Sequence, residues 1–361
     1  MKLFDYYLIK QFLLTAAFAM AAIVIIFVII DCMENLDDFI DGGADVLLVM
    51  EYYMYFMPEI IKLMIPVAML LSALFTTGRL SALNELTAMK ASGLSLYRFM
   101  APILIISFLI SLGAVYFNGW VVPYTNKQKF TLARVYLHKY LSYLSKANIF
   151  IQDSETRMLS IGYFDDERET ASKVSVEEFS DTNLTVMKTR CEASQMVWNS
   201  DSRTWTLMNG TKRTFNGDKE TLEHFTIMEI GRLNFTPDDV KKKHQKPDEM
   251  NYYELKEFIQ NQKRSGHDVS RWQVDFYSKI SFPFASFIVV LFGVPFSSIK
   301  RRSGVGVEFG IAVGISFLYM ILLKISQAFG YNGDLNPLLT AWLANITFLF
   351  AGIYVMLKVP K

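Results

Sequence analysis

Glu59 and Lys62 lie in an otherwise apolar stretch at residues 54–78, and Lys324 lies in another at 309–329. An ion surrounded by hydrocarbon is costly, so each marks a bound anion, an ion pair or a reaction. A reaction is disfavoured, because Glu59, Lys62 and Lys324 form no acid, base and nucleophile set. The sequence has no GxxxxGK[ST] phosphate loop, no HExxH and no GxSxG, and His138, His224, His244 and His267 are scattered through its polar part. Cys32 and Cys191 lack the paired CxxC spacing that holds a metal and read as free thiols. No cofactor is therefore expected in this chain, and it is not expected to be an enzyme. Any nucleotide hydrolysis would belong to a separate subunit.

The elements that hold these charges are membrane spans. Of the 361 residues 52% are hydrophobic, and mean hydropathy is +0.24, too apolar for a soluble chain of this length. A bilayer core needs about 20 apolar helical residues. Uncharged runs of that order occupy residues 12–30, 99–122, 280–299 and 335–357. Adding 54–78 and 309–329 predicts six spans. The first run resembles a signal peptide, but it is long and no small-residue cleavage site follows it, so it reads as a retained span.

Lys2, Lys10, Arg79, Lys90, Arg98, Lys300, Arg301, Arg302, Lys358 and Lys361 cluster at one set of span ends. Residues 31–51 at the opposite set contain no Lys or Arg and carry Asp31, Glu34, Asp37, Asp38, Asp41, Asp45 and Glu51. By the positive-inside rule both termini are cytoplasmic. Lys62 then lies about 12 Å below the outer end of its span and Lys324 about 6 Å below the outer end of its own, both at outer-leaflet depth. Lys127 and Arg134, seven apart on the helix leaving the third span, share a face. These four are the candidate contacts for an anionic lipid headgroup; snorkelling, pairing with Glu59 or Asp31, or plain solvation is the competing explanation.

The polar stretch at 123–271 falls outside the cytoplasm and reads as a domain of its own. Alternation and turn signals predict strands at 173–179, 184–193, 195–198 and 204–208, then Asn209-Gly210, then a further strand ending before Asn216-Gly217. This spacing suggests a β-sandwich or jelly roll, flanked by helices at 127–146 and 252–264. The expected class is thus a six-span helical membrane protein with an inserted all-β domain: spans one to three in 1–125, the β domain with flanking helices in 126–271, spans four to six in 272–361. The two triplets show no repeat of the kind inverted-repeat transporters carry. Net charge is only +1, which gives no global field for nucleic acid.

Residues 79–93 place Leu83, Leu86, Met89 and Lys90 at helical spacing and end on Gly93, predicting a short amphipathic helix on the cytoplasmic face. It could rest on lipid headgroups or dock into a partner, with Glu85 available to an arginine there. The run Ile-Pro-Val-Ala-Met-Leu-Leu-Ser-Ala-Leu at 65–74, Gly78-Arg79-Leu80 and the run from Asn84 to Gly93 resemble the second span and coupling helix of the LptF/LptG lipopolysaccharide-export permeases. Gly119-Trp120-Val121-Val122-Pro123 is similar to the end of that family's third span. Residues 263–279 are similar to the start of its fourth, and closer to the LptG branch.

The resemblance implies a non-catalytic ABC-transporter subunit in the inner membrane, with a periplasmic jelly roll. It also implies a sister permease LptF, a cytoplasmic ATPase dimer, bridge proteins LptC and LptA-like, and lipopolysaccharide as cargo. It assigns ATPase coupling to Glu85, Leu86, Met89, Lys90, Ser92 and Gly93. The family's basic outer end of the first span, thought to meet lipid A phosphates, is not matched: Asp31, Glu34, Asp37 and Asp38 stand there instead. The other reading of the sequence is a membrane receptor or scaffold with an extracytoplasmic β domain and no transport role; co-purification of an ATPase would tell the two apart.

Overall fold

A computed structural model of the chain describes residues 3–136, 147–165, 168–181, 183, 185–199, 202, 204–216, 219–230, 233–237, 246–264, 268–298 and 305–358. The side chains of Arg134, Val135, Val305 and Glu308 lie outside that description, as do Lys2, His138, His244, Gly266, His267, Lys300, Arg301, Arg302 and Lys361. The chain divides into two compact units: one holds residues 1–137, 247–253 and 270–361, the other 138–246 and 254–269.

Among the described residues, the first unit contains six apolar helices long enough to cross a membrane. Helix α1 is Leu3–Asp41 and α2 is Val46–Ala82. Both run beyond the bilayer length, so Asp31, Glu34, Asp37 and Asp38 are on a helix and not in the loop that their polarity suggested. Gly43 at φ 66° closes α1, and the Asp45 carboxylate caps the first amide of α2 at 2.8 Å. The short helix α3 is Glu85–Ala91.

The third span, Leu96–Ala133, runs through α4 (Leu96–Tyr116) and a π-helical turn (Phe117–Val121) into α5 (Val122–Tyr136). Helix α6 is Tyr252–Arg264, and the fourth span joins α7 (Ser270–Ser281) through a 3-10 turn to α8 (Ala285–Ser297). Helices α9 (Val305–Tyr331) and α10 (Pro337–Lys358) complete the set. The expected helix at 127–146 is seen to Tyr136, and the remainder lies outside the described residues.

Without an aqueous driving force, span packing depends on close approach and interhelical hydrogen bonds. Helix α8 is the most buried: Gly293 meets Ala73 of α2, and Val290 and Val294 join Leu8, Phe12, Met69, Leu80, Phe99 and Ile103 in one apolar cluster. Ser72 donates to the Phe12 carbonyl at 2.5 Å, and the Ser111 and Ser286 hydroxyls meet at 3.1 Å. Helix α1 is different: Ala19 packs against α2 and α8, but Phe18, Ile25, Ile26, Ile29 and Ile30 of its apolar run are exposed.

The second unit holds one antiparallel sheet of six strands in sequence order: β1 (Ala147–Gln152), β2 (Arg157–Asp165), β3 (Thr170–Phe179), β4 (Met187–Asn199), β5 (Thr204–Asn216) and β6 (Lys219–Ile230). The expected strands at 184–193 and 195–198 are one strand, and Asn209-Gly210 lies inside β5 instead of ending a strand.

A crease explains both departures. Ile161 pairs with Val174 and Tyr163 with Ser172, but Gly162 and Lys173 between them do not pair. The same gap recurs at Lys173 and Ser194, at Ser194 and Asn209, and at Asn209 and Thr226, with register unchanged on either side. Lys173 and Asn209 take left-handed backbone at φ 53° and 50°. Inward positions become three apart where alternation demands two: Ile161 then Phe164, Ala171 then Val174, Ala193 then Met196. The row thus bends the sheet so that both halves contribute to one core, which includes Leu159, Ile161, Phe164, Val174, Met196, Trp205 and Leu207. Trp205, fully buried, donates its ring N–H to the Phe235 carbonyl at 3.0 Å and packs against Trp198 and Phe164.

Candidate functional site

The charges of the spans converge on the segment by which the chain returns to the first unit. Pro247–Glu249 form a 3-10 turn there. Lys62 Nζ is 3.0 Å from Asp248 Oδ1, Asn126 donates to the Asp248 carbonyl at 3.4 Å, and Lys279 Nζ donates to the Met250 carbonyl at 2.6 Å. Desolvation alone would raise the Asp248 carboxyl, but the ammoniums of Lys62, Lys279 and Lys129 hold it below its ordinary range. Lys129 pairs with Glu59 and lies over the Phe56 and Phe130 rings at 5.2 and 4.5 Å. Tyr252 anchors the end of the segment. Its ring fills the place where Gly119 lacks a side chain, and its hydroxyl donates toward the Val115 carbonyl at 3.0 Å and the Lys279 carbonyl at 3.3 Å.

Of the expected headgroup contacts, Lys62 therefore joins this hub. Lys127 and Lys324 are exposed on α5 and α9 and make no ion pair among the described residues, and the Arg134 side chain lies outside the description. The hub's other lysines were not singled out from the sequence. The signal for Lys129 was periodicity: it falls on the stripe Val122, Asn126, Lys129, Ala133, which is the buried side of α5. Lys62 also lines a narrow cleft together with Ile65, Pro66, Phe117, Asn118 and Ser286. Among the described residues, no three His, Cys, Asp or Glu side chains are placed to hold a metal ion.

The short helix α3 follows a left-handed Asn84 at φ 59° and stops at Gly93, φ 90°, with the Ser92 hydroxyl on the Met89 carbonyl at 2.8 Å. Leu86 is buried with Leu80, Leu96 and Phe99, and Met89 packs against that cluster. The expected outward face of Leu83, Leu86 and Met89 is thus divided: Leu86 and Met89 fasten the helix to its own spans. Leu83, Thr87, Ala88 and Ala91 are exposed, and Glu85 and Lys90 are half-buried beside them. The outward surface is a small-residue strip carrying one leucine and one carboxylate.

The family description "Lipopolysaccharide export system permease LptF/LptG" matches residues 6–358. The chain belongs to the LptF/LptG family. The chain is 22% identical over 359 residues to the lipopolysaccharide export system permease protein LptG of Escherichia coli K12, covering 98% of each chain. It is 25% identical over 296 residues to LptG of Haemophilus influenzae, covering 79% of this chain and 80% of that one. To LptF of Escherichia coli K12 it is 21% identical over 354 residues, covering 96% and 92%. As an LptF/LptG permease, it carries the six spans and the β sheet in the order the sequence suggested. Both α3 and the hub around Asp248 lie within the matched residues.

Proposed function

We propose that this chain is the LptG-type permease subunit of an ABC transporter that extracts lipopolysaccharide from the inner membrane and passes it to a periplasmic bridge. Membership of the LptF/LptG family along nearly the whole chain is the observation that carries this reading. Both termini and α3 face the cytoplasm, and the β domain faces the periplasm. The exposed apolar side of α1, with Phe18, Ile25, Ile26 and Ile29, suits contact with lipid or with a sister permease, LptF. A cytoplasmic ATPase dimer docks on α3, and bridge proteins LptC and LptA-like receive the lipid. The creased sheet, with both halves turned to one apolar core, is the form a jelly-roll-like acyl-chain carrier would take.

In this reading Glu85, beside the exposed Leu83, Thr87 and Ala88, meets an arginine of the ATPase, while Leu86 and Met89 transmit the movement into the spans. Lys90, Ser92 and Gly93 set the end of the helix. Lys62, Lys324, Lys127 and Arg134 meet the anionic headgroup. Truncating one member of a desolvated, hydrogen-bonded charge pair costs about 2–5 kcal/mol. Glu85→Ala is therefore expected to detach the ATPase or to lower lipid-stimulated hydrolysis in a reconstituted complex, with Asn84→Ala much milder. Wild-type ATPase affinity together with wild-type lipid-coupled hydrolysis in Glu85→Ala would refute the docking role.

A further inference from the structure

We propose that Asp248 is an internal stand-in for the lipid's anionic headgroup: its carboxylate holds the Lys62 ammonium until a phosphate monoester displaces it, and the exchange frees the first turn of the return segment. This rests on the reading above, that the chain handles a phosphorylated amphiphile, and adds a latch to it. The three lysines of the hub are not equivalent. Lys129 is spent on Glu59 between two aromatic rings, and Lys279 is buried against the Met250 carbonyl. Lys62 alone is paired with a carboxylate on an open surface: the Lys62 side chain is 15% exposed and that of Asp248 52%. An anion arriving from the membrane surface can reach this pair. Once displaced, the Asp248 carboxylate returns to water without being stranded.

Charge favours the exchange. A phosphate monoester carries about −1.5 to −2 at neutral pH and offers three acceptor oxygens, against a single charge for the carboxylate. Glu59 and Glu249 offset the charges of Lys129 and Lys279, so a second anion beside an intact Lys62–Asp248 pair meets no excess of positive charge, and displacement is the route open to it. The consequence is local. Asp248 stands in a three-residue 3-10 turn, whereas Met250 and Tyr252 just after it keep their own anchors on Lys279 and on Gly119. Release therefore removes one hold on Pro247–Glu249, leaving Asn126 on the Asp248 carbonyl at 3.4 Å, and leaves the following residues fixed.

The test uses the full chain in phosphatidylcholine nanodiscs with or without phosphatidic acid, a lipid phosphate monoester. Lys246→Cys in a Cys32→Ser, Cys191→Ser background reports opening of the turn by maleimide labelling. Phosphatidic acid should raise labelling when Asp248 is present. Asp248→Asn should label faster without it and bind phosphatidic acid about two- to fivefold more tightly, the range a partly exposed ion pair commands. Asp248→Glu should behave as the parent does, which separates loss of the carboxylate from loss of fold. Labelling indifferent to phosphatidic acid in the parent, or Asp248→Asn binding it no more tightly while Lys62→Gln weakens it, would overturn the latch and leave the headgroup reading standing. Lys62→Gln binding phosphatidic acid as the parent does would overturn both. Inorganic phosphate raising labelling as effectively as the lipid would overturn a lipid headgroup as the displacing anion.

Discussion

Gly119 has no side chain because the Tyr252 ring occupies that place, at a π-helical turn in the third span. A π turn inserts one residue into the helical ladder and often marks a functional position; here it makes room for the residue that anchors the return segment. Burial pushes the Tyr252 hydroxyl up to about 12, so it stays a donor at every physiological pH. Gly119→Ala should displace the ring and lower stability by about 1–3 kcal/mol, as overpacking does, whereas Tyr252→Phe keeps the ring and should cost about 0.5–1.5 kcal/mol. Thermal unfolding of both variants in detergent checks the order. Asp153, in the β unit, carries a prediction of opposite electrostatic sense to Asp248. Burial raises its carboxyl despite the Asn234 amide and Arg157 guanidinium that it accepts from. A carboxyl raised on folding contributes stability that is complete below its unfolded value, about 4, and is lost as pH rises through the folded value. Unfolding followed from pH 4 to 7 should show this slope in the parent and lose it in Asp153→Asn. The sequence showed Lys62 as an ion in an apolar run but could not show its partner, because Asp248 is 186 residues away and polar residues near it are numerous.

The short helix and the creased strands show how far a local pattern reaches. Residues 79–93 read as one helix ending at Gly93; residues 79–82 instead finish α2, and the separate helix α3 is Glu85–Ala91, with the left-handed Gly93 just beyond it as that local signal predicts. Which apolar residues of α3 face outward was not local: Leu86 turns inward because Leu80, Leu96 and Phe99 offer it a site. The sheet gives the same lesson in reverse. Asn209-Gly210 carries the chemistry of a hairpin turn, and Asn209 does take the left-handed conformation, yet neighbouring strands continue the ladder on both sides of it. Turn residues thus marked a bend in the strand, not its end. At φ 50° a left-handed residue without a β-branch is needed, and asparagine tolerates the site better than most. Asn209→Gly should preserve or slightly raise stability, and Asn209→Val should lower it by roughly 1–2 kcal/mol. Chemical unfolding followed by tryptophan fluorescence is suited to this, since Trp198 and Trp205 lie in strands that cross the crease.

At the scale of the whole molecule, the six spans were legible because length and apolarity are properties of each segment alone, and the bilayer imposes both. The split into units was less legible. The return segment at 247–253 belongs with the spans although its composition is polar, since what fastens it there is contributed by Lys62, Asn126 and Lys279 from three separate helices. Sidedness rests on charge. The end of α1 and the start of α2 bear seven carboxylates and no lysine or arginine over residues 31–51, while Arg79 at the far end of α2, Lys90 in α3 and Arg98 at the start of α4 make the opposite side basic. Because basic residues near span ends resist translocation, the α3 end should be cytoplasmic and the α1–α2 turn periplasmic. The native thiols complicate a labelling test unequally: Cys191 is buried in the sheet, but Cys32 is only partly covered, so both must be replaced by serine. In that background, a membrane-impermeant maleimide applied to spheroplasts should modify cysteines at Asp38 and Asn209, and leave one at Lys90 unmodified until the membrane is permeabilised. Asp38 and Lys90 are joined through α2 alone, so the pair decides the direction of that helix, and with it the face on which an ATPase could reach Glu85. Labelling of the Lys90 position in intact spheroplasts would reverse the arrangement and remove the docking surface from the nucleotide's side of the membrane.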